Sequence, residues 1–374
     1  MLDSRTRAFG SAMTYIQGPG ELDKIEEYSR VYTNRVFFLI DGFLFPTLKE
    51  RIENIFSKSD SVCICEACRG ECCYSEINRI TELVKEHKAG LIVGAGGGKT
   101  IDIAKMVANS LFFPYFIVPT SAATDAPVSG LAVVYTDTGE HLEAVMLKRS
   151  ADIVLMDSNL IAGAPIRLFR AGMADALATW FEAQARERSE SPNNIGKGYL
   201  RCKAGMAIAR LSYDLLMEDG LRALRDLEIG AVTDAVENII ETNTLLSGLG
   251  FQNTGCSVAH AIHAGLAELP ETHSYLHGEK VAFGIVCGFA FENTPMDIVD
   301  KVMQFMVEAG IPVTLSDLGV EATPENIFKI ADKVVNRNRT IYAEPLVINI
   351  DTVSAAIISA NALGERYKAR FKNK

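Results

Sequence analysis

Leu91-Ile92-Val93-Gly94-Ala95-Gly96-Gly97-Gly98-Lys99-Thr100-Ile101-Asp102 sets a short apolar run against four glycines in five residues, and a helical pattern follows at once. Strand, tight turn and helix start in that order make half of a βαβ unit. Glycine permits positive φ and close backbone approach, while a helix start offers free amides and a positive dipole end to a pyrophosphate. Neither standard phosphate signature fits, because a Walker loop would need glycine at Val93 and GxGxxG would need it at Lys99. The stretch therefore reads as a dinucleotide turn of unspecified family, with Gly96, Gly97, Gly98, Lys99, Thr100 and Asp102 as candidate cofactor contacts. A plain strand-to-helix turn is the competing reading, and it rarely needs so many glycines.

Outward from this turn the same rhythm continues. Strands are expected at Val36–Ile40, Ser61–Cys65, Leu91–Val93 and Phe116–Val118, with helices over Leu48–Phe56, Ser75–His87 and Thr100–Ser110 between them. That alternation predicts a mainly parallel, Rossmann-like sheet covered by helices on both faces. Leu131–Tyr135 and Leu142–Leu147 flank a Thr136-Asp137-Thr138-Gly139 turn as a hairpin, and Ile153–Met156 reads as a last strand. From Pro165 the periodicity is helical: Ile166–Arg188, Leu200–Leu216, Ala231–Gly248, Val258–Leu266, Val281–Phe291, Met296–Ala309, Pro324–Val335 and Thr352–Tyr367. An α/β nucleotide-binding domain over residues 1–160 and an all-α domain over residues 161–374 follow, since one core rarely serves a chain of 374 residues.

Composition narrows the function. A net charge of -10 and no basic run interleaved with aromatics give a nucleic-acid backbone nothing to bind. No apolar segment is long enough to span a bilayer and the first residues lack a signal core, so the expected location is the cytoplasm. Eight cysteines in such a chain do not make a disulfide framework. Cys63, Cys65, Cys68, Cys72 and Cys73 could grip a structural zinc through the Cys65-Glu66-Ala67-Cys68 gap. Packing as small hydrophobes on a strand is favoured, since no second CxxC follows at ribbon spacing.

Four of the six histidines, His260, His263, His273 and His277, fall between Gly255 and Lys280. His260 and His263 share one helical face, and imidazole is the commonest zinc ligand. A catalytic zinc needs three protein ligands and an open position. Asp175, the single carboxylate in the small, apolar run Gly172–Phe181, needs a cation, a cap or solvent if buried; ligation and helix capping both answer that need. Asp41, at the end of the first strand, suits an adenosine ribose and would repel a 2′-phosphate, which points to NAD over NADP. Asp125, in Thr120–Pro127 beyond the strand ending at Val118, is placed to face a substrate hydroxyl. Ordinary turn or loop capping is the alternative for both.

Taken together, Gly94–Asp102, Pro119–Pro127, Gly172–Glu182, His260-Ala261-Ile262-His263 and His277–Gly284 resemble the iron-containing alcohol dehydrogenase superfamily over nearly the whole chain, in its glycerol-oxidising, zinc-dependent branch. That resemblance implies Asp175, His260 and His277 as metal ligands and Asp125 as a polyol contact. It also implies Lys99, Thr120, Ser121, Ser129 and Leu131 at the cofactor, with Tyr135 and Phe251 lining its site. Iron-dependent relatives carry a further histidine four residues after the aspartate, where Thr179 stands here, so Zn2+ is expected over Fe2+. Ala264 replaces the asparagine usual after the second histidine. The implied reaction is reversible oxidation of glycerol, and of related vicinal diols, at C2 to dihydroxyacetone with NAD, with His263 or His273 passing the proton to water. A homo-octamer is implied as well. The alternatives are a lyase resembling 3-dehydroquinate synthase, a glycerol-1-phosphate dehydrogenase, or a non-catalytic metal- and nucleotide-binding protein. The two phosphate chemistries want several basic side chains near the metal, whereas near the proposed ligands and Asp125 the basic residues are sparse, Lys280 being the clear one.

Overall fold

The computed structural model describes residues 5–371. These divide into two compact units, one formed by Gly10–Pro165 and the other by the segment ending at Phe9 together with the chain from Ile166 onward. β1 (Arg7–Ala8) belongs to the second unit.

The first unit runs β2 (Thr14–Gly18), α1 (Ile25–Arg30), β3 (Arg35–Ile40), α2 (Phe45–Phe56), β4 (Val62–Ala67), α3 (Tyr74–Glu86), β5 (Leu91–Gly96), α4 (Gly98–Leu111), β6 (Tyr115–Pro119), β7 (Leu131–Tyr135), β8 (His141–Met146), β9 (Ile153–Asp157) and α5 (Ser158–Ala162). Six strands form one sheet in the order β2-β9-β6-β5-β3-β4, every pair parallel. β5, β6 and β9 are buried throughout and β3 from Val36 on, which is why their sequences are unbroken apolar runs and do not alternate. Val36, Phe38 and Ile40 on β3 pack with Val93, Ala95, Phe116, Val118 and Leu155 and with Leu48, Ile52 and Phe56 of α2. β7 and β8 make a separate antiparallel hairpin, and Cys73 bridges to Tyr135 beside it.

Chain order and sheet order part company at β3. β4 lies on one side of it and β5 on the other, so the chain reverses direction across the sheet at that point. In doubly wound sheets ligands bind beyond the carboxyl ends of the strands at such a switch. The ends that meet there carry Asp41 and the glycine turn.

The second unit holds α6 (Ile166–Arg188), β10 (Leu200–Arg201), α7 (Lys203–Glu228), α8 (Asp234–Glu241), a π-helical turn (Thr242–Leu246), α9 (Ser247–Thr254), α10 (Val258–Leu266), α11 (His277–Glu292), α12 (Met296–Glu308), α13 (Pro324–Arg337) and α14 (Ile350–Phe371). It is helical apart from the two-residue parallel pair of β1 with β10. The expected Ala231–Gly248 helix is three pieces, because five residues wind as π-helix between α8 and α9. α11 begins four residues before the expected Val281, at His277 itself.

Candidate functional site

Three helices of the second unit hold the centre. α6 carries Asp175, α10 carries His260, and α11 opens on His277. Glycines set how closely these helices cross. A Cβ on Gly278 would lie 1.9 Å from the Ala171 carbonyl oxygen of α6, and one on Gly284 would lie 2.3 Å from that of Ala259 on α10. Neither position tolerates a side chain without moving a backbone.

The start of α11 is fixed further by Glu279. Its carboxylate accepts the Leu276 amide at 2.7 Å and takes Arg167 of α6 through two nitrogens, at 2.6 and 2.7 Å. Arg167 is thereby committed to a carboxylate, and Lys280 is buried with its Nζ 3.4 Å from the Thr272 carbonyl.

Asp175 is 1 % exposed, and neither of its oxygens has a hydrogen-bond partner. The Nε2 atoms of His260 and His277 face its Oδ1 at 3.5 and 3.2 Å. One ligand atom from each of the three residues lies within 4.8 Å of the others, the one such group of histidine, cysteine and carboxylate side chains among the described residues. Bonds of about 2.0–2.2 Å around a tetrahedral zinc put its ligand atoms about 3.3–3.6 Å apart, close to the spacing found. An orphaned carboxylate facing two imidazole nitrogens fits a divalent cation.

Charge in the cluster is strongly perturbed. Burial would raise the Asp175 pKa, but His277 and His260 outweigh it and hold the carboxyl far below its ordinary range. Burial would likewise depress His260, yet Glu182 and Asp175 beside it hold its pKa well above the usual value. His263 shows the opposite: burial, with His277 and Lys280 near, pushes its pKa well below the usual value, toward the neutral ring. His277 Nδ1 and His263 Nε2 share a hydrogen bond of 3.1 Å. His273 is not gathered with them; its Nε2 lies 3.2 Å from the Ala267 carbonyl on an exposed turn. Thr179, one turn on from Asp175, shares a hydrogen bond of 3.2 Å with Ser247 and supplies no nitrogen ligand. Phe251 lies in this unit with its ring 5.9 Å from that of His260.

Glu182 is the residue that sequence reasoning passed over. Its Oε2 lies 2.7 Å from His260 Nδ1, and its Oε1 accepts the amides of Ser257 and His260 at 2.8 and 3.0 Å. The available signal was its place on the helix, seven residues and two turns after Asp175.

The remaining candidates lie in the α/β unit. The glycine turn is not a positive-φ device, since none of Gly94, Gly96, Gly97 or Gly98 has positive φ. Its glycines serve close approach. A Cβ on Gly94 would meet Ala104 at 2.7 Å, and one on Gly96 would meet Thr100 at 2.8 Å and Asp41 at 3.0 Å, whereas Gly97 and Gly98 face open space. No side chain caps α4, which starts at Gly98 inside the turn, so its first amides are left for a ligand. Asp41 closes β3 beside this turn, its amide bonded to the Ala95 carbonyl at 2.9 Å.

Lys99 is exposed and ion-paired with Glu71. Thr100 and Thr120 are buried, and the Thr120 amide bonds to the Gly96 carbonyl at 3.2 Å. Asp102 faces inward: Oδ2 accepts the Val133 amide at 3.0 Å and Oδ1 lies 3.4 Å from buried Lys105. Lys105 donates in turn to the carbonyls of Ala126, the residue after Asp125, and Leu131, with Ser129 between them and Ser121 earlier on the same loop. Ser129 is buried with Oγ 3.3 Å from Ala126 O, and Tyr135 bonds Cys72 through its amide at 2.8 Å. Cys63 and Cys65 are partly buried and pack against the apolar core, and all eight cysteines are free.

Residues 12–158 match the family model described as iron-containing alcohol dehydrogenase. The glycerol dehydrogenase of Thermotoga maritima is 42 % identical over 95 % of this chain and 96 % of its own length. The chain belongs to the iron-containing alcohol dehydrogenase family. Membership makes it an alcohol oxidoreductase. Among other members, the glycerol dehydrogenase of Citrobacter freundii is 39 % identical over 96 % of this chain and 98 % of its own. The solved structure of a probable glycerol dehydrogenase from Sinorhizobium meliloti 1021 superposes with a TM-score of 0.90 at 44 % identity, covering 96 % of this chain and 99 % of that one. As an iron-containing alcohol dehydrogenase family member the chain spans essentially the full length of these relatives, and none of its helices among the described residues is long and apolar enough to cross a membrane.

Proposed function

We propose that this chain is a zinc-dependent, NAD-linked dehydrogenase that reversibly oxidises glycerol, and related vicinal diols, at C2 to give dihydroxyacetone. The observation that carries the reading is the convergence of Asp175, His260 and His277, with both Asp175 oxygens buried and without a hydrogen bond. The choice of glycerol draws on the relatives of that name at 42 and 39 % identity.

In this reading Asp175, His260 and His277 hold the ion. Bound there, a divalent zinc would supply Lewis acidity that lowers the pKa of an alcohol, and NAD would supply the hydride acceptor. The chain's own residues do the rest. His277 keeps Nε2 toward the centre because its Nδ1 is hydrogen-bonded to His263, the candidate to hand a proton outward. Asp125, on the segment anchored by Lys105, orients a substrate hydroxyl. The first amides of α4 take the pyrophosphate past the open faces of Gly97 and Gly98, and Asp41 takes the adenosine ribose. Three N and O ligands without a fourth nitrogen at Thr179 favour zinc over iron. A phosphorylated substrate is disfavoured because Arg167 and Lys280 are already engaged within the fold. By resemblance we take the enzyme to work in the cytoplasm as a homo-octamer.

The test is a substrate panel of glycerol, 1,2-propanediol, butanediol and dihydroxyacetone with NAD(H), before and after chelation. Metal-dependent NADH formation from unphosphorylated glycerol is expected. Turnover that persists in fully demetallated enzyme would overturn the reading.

A further inference from the structure

We infer that Glu182 is a positioning residue for the metal centre: it fixes the ring of His260 so that Nε2 is presented beside Asp175 before any ion arrives. The inference rests on the proposed metal site and goes beyond its three ligands.

Glu182 lies on α6, the helix that also carries Asp175, and is 2 % exposed. Its two oxygens are divided between two tasks. Oε1 accepts the amides of Ser257 and His260, the free donors at the start of α10, so a carboxylate from α6 serves as that helix's cap; Ser257 itself makes no side-chain cap. Oε2 lies 2.7 Å from Nδ1 of His260. A carboxylate accepts only, so Nδ1 keeps its proton, and once an arriving cation displaces the ring's other proton the lone pair falls on Nε2, 3.5 Å from Asp175 Oδ1. One side chain thus sets the register of α10 against α6 and the tautomer and direction of the ring. Asp175 and Glu182 present the direct ligand and the orienting carboxylate from a single rigid helix. An amide at position 182 would turn an N–H toward one of these three donors, so it cannot serve all of them.

Capping and ring orientation can be separated, because a second buried acidic side chain caps the same helix through a different amide. Glu344 Oε1 accepts the Val258 amide at 3.1 Å. The experiment compares the wild type, Glu182→Gln, Glu182→Ala and Glu344→Ala, which removes the acceptor for the Val258 amide, as full-length proteins. Zn2+ affinity is measured by competition with a chromogenic chelator, the Co2+-substituted visible spectrum is recorded, and thermal midpoints are taken without metal. Glu182→Gln is expected to weaken Zn2+ binding about 10–100-fold and to alter the Co2+ bands, with Glu182→Ala at least as weak. Glu344→Ala is expected to retain wild-type affinity and spectrum even where its thermal midpoint falls. If the wild type binds metal and Glu182→Gln binds equally well with the same spectrum, the inference is wrong while the metal site stands. If Glu344→Ala loses affinity to the same extent, the effect is helix capping and the inference is again wrong. A wild type that binds neither Zn2+ nor Co2+ overturns the site reading and the inference with it.

Discussion

Lys105 reaches from α4 to the carbonyl oxygen of Leu131 at 2.8 Å, joining the helix of the glycine turn to the far end of the segment that bears Asp125. The ammonium is fully buried, with Asp102 3.4 Å away as its counter-charge. Burial pulls the lysine's pKa down and Asp102 opposes that, while burial pushes Asp102 up and Lys105 opposes that. Each charge is tolerable only because of the other. Replacing Lys105 with methionine keeps much of the volume but strands Asp102 and releases two carbonyls. The expected loss is about 3–5 kcal/mol in denaturant unfolding of the metal-free protein. The double variant Lys105→Met with Asp102→Asn should recover part of that loss. If the single change leaves the midpoint unmoved, the pair is not holding the segment.

Removing a ligand should separate the metal from the fold. His277→Ala keeps the start of α11, because Glu279 still caps Leu276 and binds Arg167. It should lose bound metal and glycerol oxidation together. The fall in Zn2+ affinity should exceed the roughly 10–100-fold expected for an outer partner. Metal content by elemental analysis checks this, and full occupancy with wild-type affinity would remove His277 from the ligand set.

The proposed preference for zinc over iron can be tested at Thr179. Its hydroxyl bonds to Ser247, and a Cβ added at Gly250 would lie 2.4 Å from its Cγ2, so α6 and α9 meet tightly there. An imidazole at this position has to displace packed atoms. Thr179→His is therefore expected to destabilise the protein by about 1–3 kcal/mol without creating an iron site. Tight Fe2+ binding at an unchanged melting temperature would contradict this.

How much of this was legible in the sequence depends on the range of the interaction. The sheet could be read because β3, β5, β6 and β9 are buried on both faces and so write themselves as apolar runs. β2 escaped because an edge strand with one partner, Thr14-Tyr15-Ile16-Gln17-Gly18, carries no such run. The π-helical turn breaks a continuous apolar period, which periodicity alone reads as one long helix. Asp175, His260 and His277 were found through residue type and resemblance, and the folded chain does gather them. Glu182 and Lys105 stayed silent because their meaning lies in contacts 78 and 26 residues away. A glutamate near a helix end and a lysine within a helix look like solvated charges until the partner is known. The glycine turn was located for a partly mistaken reason, since its glycines permit close packing and leave the backbone in ordinary φ.

Asp41 tests the cofactor preference. It sits at the strand end against the glycine turn and accepts the Phe43 amide at 3.0 Å, so its carboxylate is held beside the proposed ribose site. Asp41→Ala removes a charged acceptor worth about 1.5–3 kcal/mol and the repulsion of a 2′-phosphate. The NAD-to-NADP ratio of kcat/KM should fall by about tenfold or more, with kcat for glycerol nearly unchanged. An unaltered ratio would move the ribose away from this strand end.

Glu344 gives the stability a pH dependence of identifiable sign. Burial, reinforced by the nearby Glu292 carboxylate, raises its pKa to about 8. At 4 % exposure, with Oε2 unpaired, it folds protonated where the unfolded chain would be ionised. Between the unfolded value near 4.5 and the folded value near 8 the native state holds the extra proton, so stability falls as pH rises through that window and levels off above it. Glu344→Gln mimics the protonated form and can keep the carbonyl acceptor for the Val258 amide. It should be close to wild type at pH 5 and more stable by roughly 1–2 kcal/mol at pH 8, with the wild type's decline flattened. Urea titrations of both proteins across pH 5–8 measure the difference. A constant gap at every pH would mean that Glu344 is ionised throughout, with its charge held by Arg188 through Glu292 and by the start of α10.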